Sequence, residues 1–88
     1  MFNYTICNCA DDILFKKQCQ AIEQKFPKLN KKILLIDVDG TSIQEYEHSM
    51  GKIRVTNDQQ VDALYVQSDF DLKQYFSWNT LKTNVEKE

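Results

Sequence analysis

The chain has 88 residues, 42% hydrophobic and 27% charged, with two glycines, one proline and three cysteines, a composition suited to one domain with a single core. No apolar run approaches the roughly 18 residues of a membrane span, and so few glycines and prolines exclude long linkers and low-complexity segments. The formal charge of −2 is unevenly spread: residues 1–36 carry +3, residues 37–71 carry −6, and residues 72–88 carry +1.

Phe2 to Cys7 alternates and is rich in β-formers, which predicts a first strand. Residues 1–10 lack the basic start and long apolar centre of a secretory signal, and three cysteines is an odd number. Both features predict a cytoplasmic chain with reduced thiols. Asn8, followed by Asp11, has the spacing of a helix start. Phe15, Cys19, Ile22 and Phe26 then form one apolar stripe of a helix from Asp11 to Phe26, which Pro27 stops.

Lys28 to Lys32 is a basic connector, and Ile33 to Val38 an apolar strand expected at the sheet centre, covered on both faces. Asp39-Gly40 signals a hairpin turn, and a polar strand is expected from Thr41 to His48. Gly51 marks another turn, Lys52 to Thr56 a strand with Ile53 and Val55 on one face, and Asn57-Asp58 a further turn. Val61 to Gln67 predicts the next strand. Ser68 and Asp71 have capping-box spacing for a final helix to about Lys82, carrying Leu72, Tyr75, Phe76, Trp78 and Leu81. The order β-α-β-β-β-β-α predicts a small α+β domain over residues 1–84, mostly antiparallel sheet with helices on one face and a frayed tail at 85–88.

Four candidate chemistries compete. Ile33 to Thr41, an apolar strand ending in Asp37-Val38-Asp39-Gly40-Thr41, resembles the first motif of the haloacid-dehalogenase phosphatase superfamily. The resemblance implies Asp37 as nucleophile, Asp39 as general acid/base, and Mg²⁺ held by Asp37 and the Val38 carbonyl. It covers nine residues. Ser68 has the place of the family's second motif, but residues 69–88 hold no strand with the acidic pair that completes the metal site, and no later phosphate-binding Lys motif. The stretch after Gly40-Thr41 alternates like a strand where the family has a helix. The competing reading is a hairpin turn with acids at its rim.

Cys7, Cys9, Cys19 and His48 supply four metal-ligand types, but their spacing matches no usual zinc pattern, and no cofactor is expected. His48, the single histidine, has no thiol placed beside it for nucleophilic catalysis. Lys25, Lys28, Lys31 and Lys32 with Tyr75, Phe76 and Trp78 have the residue types of a nucleic-acid surface, but an isoelectric point near 5.3 and the −6 segment repel phosphate.

The acidic segment is the fourth. Glu45, Glu47, Asp58, Asp62, Asp69 and Asp71, together with Trp78, form the expected partner-binding set, with charge for orientation and an aromatic for affinity. The sequence thus points to a non-enzymatic protein-binding module, with neither catalytic nor metal-binding residues. An inhibitor or toxin-immunity type of protein that covers a basic surface of a partner enzyme has this size and charge.

Overall fold

The computed structural model describes residues 2–74. Strands β1 (Phe2–Cys7), β2 (Asn30–Lys31), β3 (Leu35–Ile36), β4 (Ser42–His48), β5 (Gly51–Asp58) and β6 (Ala63–Ser68) build one sheet, with one helix, α1 (Asp12–Lys25), across a face. The strand order is β1-β6-β5-β4-β2, with β3 also paired to β4, and every pairing is antiparallel. A 3-10 turn at Leu72–Gln74 closes the described chain. None of the described helices is long and apolar enough to cross a membrane.

The helix forms where its apolar period lies. Its N-cap is Asp11, whose Oδ1 accepts the N–H groups of Ile13 and Leu14 at 2.9 and 3.0 Å. That corrects the expected start at Asn8: a cap must sit within three residues of the N–H groups it satisfies. At the other end the Phe26 N–H donates to the Ile22 carbonyl, and Pro27 follows. Phe15, Cys19, Ile22 and Phe26 are all buried, as their spacing predicts.

Alternate sheet residues meet that stripe. Tyr4 and Ile6 of β1, Tyr46 of β4, Ile53 and Val55 of β5, and Leu64 and Val66 of β6 complete the core with Leu72. Burying aliphatic side chains of this size contributes about 1.5–3 kcal/mol each. The two buried tyrosines find partners for their hydroxyls. Tyr4 donates to Asp71 Oδ1 and accepts the Leu72 N–H, both at 2.8 Å, which fastens the 3-10 turn to β1. Burial, and then the Asp71 contact, push the Tyr4 pKa up to about 12. Tyr46 donates to Glu23 Oε2 at 2.6 Å, and that oxygen also meets Lys31 Nζ at 3.0 Å, so one carboxylate joins α1, β4 and β2.

The expectation for Ile33 to Val38 is overturned. Only Leu35–Ile36 is regular strand, paired with β4 at the sheet edge among the described residues, and Ile33 and Ile36 are 80% and 67% exposed. A 14-residue helix is about 21 Å long and about 10 Å wide. It packs most closely over β5 and leaves Ile33 to Ile36 exposed at the edge. The hairpin turn does form: Gly40 has φ +90°, the Gly40 N–H donates to the Asp37 carbonyl, and the Asp37 N–H donates to the Thr41 carbonyl. Val61 lies in the turn before β6. The predicted final helix is represented by the 3-10 turn, and its remainder, with Tyr75, Phe76, Trp78 and Leu81, lies outside the described residues. What is established is a small α+β domain, mostly sheet, with one described helix on one face.

Glu23 sets an acid-sensitive term. Burial alone would raise its pKa, but the Tyr46 hydroxyl and Lys31 outweigh it and the net shift is downward. A depressed carboxylate stabilises the fold above its ordinary value of 4.5 and loses that contribution as pH falls further. Glu23→Gln should therefore lower stability at neutral pH and flatten the acid limb below about pH 4.5. Urea unfolding midpoints measured across pH 3–7 (a range set by roughly where carboxylates titrate) check this. A variant curve parallel to wild type would contradict it.

Candidate protein-binding site

Three separate turns meet at one end of the sheet, and a buried asparagine joins two of them. Asn57, on β5, has 0% exposure. Its Oδ1 accepts the Asp11 N–H and its Nδ2 donates to Asp12 Oδ1, both at 2.9 Å, so the start of α1 is tied to the end of β5. The Ala10 N–H donates to Asp62 Oδ1 at 2.8 Å, which adds the β5–β6 turn. Thr41 Oγ1 accepts the Gln59 N–H at 2.9 Å, which adds the β3–β4 turn.

The result is an acidic pole. Asp11 and Asp12 arrive from α1, Asp37 and Asp39 from the β3–β4 turn, and Asp58 and Asp62 from the β5–β6 turn. The segments 8–13, 36–42 and 57–63 that form it contain no Lys or Arg. The positive end of the α1 dipole partly offsets this charge and favours Asp11 and Asp12 where they stand. Asp58 is held below the usual carboxylate range by the Val61 N–H and the Tyr65 hydroxyl, with the Gln60 N–H adding to them. Ile13, Val38 and Val61 project from the same three segments and are exposed. Apolar side chains amid uncompensated charge are the elements of a polar-rimmed contact surface.

The sequence-predicted residues divide between this pole and the rest of the sheet. Asp58 and Asp62 belong to it. Glu45 and Glu47 lie along β4 and pair with Arg54 and Lys32. Asp69 and Asp71 follow β6 at the opposite end, where Asp69 accepts the Lys52 N–H and Asp71 accepts the Tyr4 hydroxyl and the Lys73 N–H. Trp78 lies outside the described residues. Asp11, Asp12, Asp37, Asp39 and the three aliphatics were missed as a group, since only tertiary pairing brings residues 11, 39 and 62 together.

Asp37 and Asp39 act within their turn: Asp37 Oδ1 accepts the Val38 N–H at 2.7 Å and Asp39 Oδ1 the Thr41 N–H at 2.9 Å. The strand before them is an antiparallel edge strand leading into another strand, whereas the phosphatase resemblance implies a strand followed by a helix. Cys7 and Cys9 bring their Sγ atoms to 3.2 Å, and that contact raises the Cys9 pKa. Cys19 is buried on the sheet-facing stripe of α1, and His48, at the far end of β4, packs against Phe26 and Phe70. Among the described residues no three His, Cys, Asp or Glu side chains gather closely enough to hold a metal ion. In the basic connector, Lys31 and Lys32 pair with Glu23 and Glu47. Comparison of the chain with protein families, with characterised proteins and with solved structures returns no match.

Replacing Asn57 with Leu leaves the Asp11 N–H without its acceptor and Asp12 without its donor. A loss of about 2–3 kcal/mol is expected, on the scale of a buried polar group left unsatisfied. Chemical denaturation measures it, and a change below about 0.5 kcal/mol, the size of an ordinary surface substitution, would contradict the role assigned to this residue.

Proposed function

We propose that the chain is a non-enzymatic protein-binding module whose acidic pole docks on a basic surface of a partner protein, in the manner of an inhibitor or toxin-immunity type of protein. The observation that carries this reading is the convergence of six carboxylates and three exposed aliphatics from three turns, with no cation in those segments. Each surface ion pair is worth about 0–1 kcal/mol. The charge therefore serves orientation and on-rate, which a focused field raises by roughly 10–10³-fold. Ile13, Val38 and Val61 supply the desolvated contact. The same charge disfavours phosphate-bearing ligands.

The test uses asparagine substitutions, which remove charge while keeping an acceptor oxygen for the turn hydrogen bonds. Immobilised wild-type chain should retain a basic protein from host extract and release it between about 0.1 and about 1 M salt, where the screening length falls from about 10 to about 3 Å. The combined variant Asp37→Asn, Asp39→Asn, Asp62→Asn should lose most of that retention. Equal retention by both chains, or retention indifferent to salt, would defeat the reading. If the captured protein is an enzyme, added chain should lower its activity.

A further inference from the structure

A second surface adjoins that pole and shares Asp37 and Asp39 with it. Among the described residues, 30–36 form one edge of the sheet, and they are exposed throughout. Ile33, Leu34, Leu35 and Ile36 are four consecutive aliphatics, all exposed. Because the Asp37 N–H is turned to the Thr41 carbonyl, alternation turns the Ile36 N–H and carbonyl away from β4. An apolar edge with outward backbone groups is a template for strand addition.

Its ends say what it fits. The edge begins with Lys31 and Lys32 and finishes with Asp37 and Asp39. A strand that starts basic and ends acidic meets like charges in a parallel copy of itself and opposite charges in an antiparallel copy. The faces agree with the antiparallel arrangement. Leu35 pairs with Ile43, and Lys32 reaches Glu47, so both belong to the open face of the sheet, as does Asp37 two residues beyond Leu35. Leu34 instead lines a groove of about 270 Å³ against α1 with Phe15 and Cys19, and Ile36 shares that side.

We infer that two copies of this chain pair antiparallel through this edge, about a two-fold axis at Leu35. Leu35 then meets Leu35 of the second copy, and Leu34 meets Ile36 on the helix side. On the open face Lys32 lies against Asp37 of the second copy. The irregularity between β2 and β3, where Lys31 opposes Tyr46 but Leu35 opposes Ile43, provides the extra residue that keeps Lys32 and Asp37 on one face. The contact is isologous, so it closes at two copies.

Sedimentation velocity over roughly 1 µM to 1 mM, the span of a modest interface, should show a concentration-dependent dimer. Leu35→Lys sets like charges on the axis and should give a monomer with unchanged circular dichroism and thermal midpoint. Lys32→Asp and Asp37→Lys should each weaken the dimer about tenfold, since the two-fold axis repeats the cross-strand contact. The two together should restore it. A wild-type monomer at all concentrations would overturn the inference, as would species larger than a dimer. So would a dimer indifferent to Leu35→Lys, or a double exchange without rescue. Partner capture by the monomeric Leu35→Lys variant reports on the acidic pole separately, so the two proposals stand or fall apart.

Discussion

The arrangement depends on a fully buried asparagine. Asn57 sits at the end of the central strand, where a side chain facing the helix would ordinarily be apolar. Both ends of its side-chain amide are used, the oxygen accepting the Asp11 N–H and the nitrogen donating to the Asp12 carboxylate. A helix N-terminus presents unsatisfied N–H groups that must find acceptors; Asn57 Oδ1 takes the Asp11 N–H from the sheet, and Asp11 Oδ1 takes the Ile13 and Leu14 N–H groups from the chain. The crossover from β1 is thereby fixed at a set height on β5, and Ala10 falls within reach of Asp62. The acidic pole follows from this tie: Asp11 and Asp12 are held beside the β5–β6 turn by the same contacts that dock the helix.

Tyr46, Glu23 and Lys31 make the corresponding tie near the other end of the helix. The two differ physically. Asn57 is neutral, buried and indifferent to pH near neutrality, whereas Glu23 is partly exposed, and its contribution ends when the carboxylate is protonated. Acid thus weakens the attachment of α1 near β2 and β4, and the β2–β3 edge lies on the side of the helix that Glu23 holds.

Local patterns in the chain were legible where one neighbour decides the outcome. Phe15, Cys19, Ile22 and Phe26 announce one buried stripe because a helix repeats its face regardless of what covers it. Ile53 and Val55 do the same for β5, and Gly40 for a turn that needs positive φ. Ile33 to Ile36 was misread because four aliphatics in a row state that a segment is apolar, not how many layers cover it. The number of layers depends on how far one short helix reaches across the sheet. The candidate site was half legible for a related reason. Asp58 and Asp62 stand out by sequence proximity, but their grouping with Asp12 and Asp39 is made by Asn57 and Thr41, two residues with no pattern of their own.

The original Asp37-Val38-Asp39 signal gains a different meaning from this geometry. An exposed apolar edge invites open-ended strand addition unless something limits it. Here the edge ends in two carboxylates on a hairpin turn and begins in two lysines, so charge brackets the aliphatic run on both sides. Pairing in parallel, or sliding far along the edge, brings aspartate against aspartate or lysine against lysine; an antiparallel, nearly centred pairing does not. The charges contribute little affinity at the surface, but they discriminate among registers that the aliphatics alone leave nearly equivalent. The carboxylates that resemble catalytic groups in the linear sequence close the turn through the Val38 and Thr41 N–H groups, and in the proposed pairing they set the direction in which the edge accepts a neighbour.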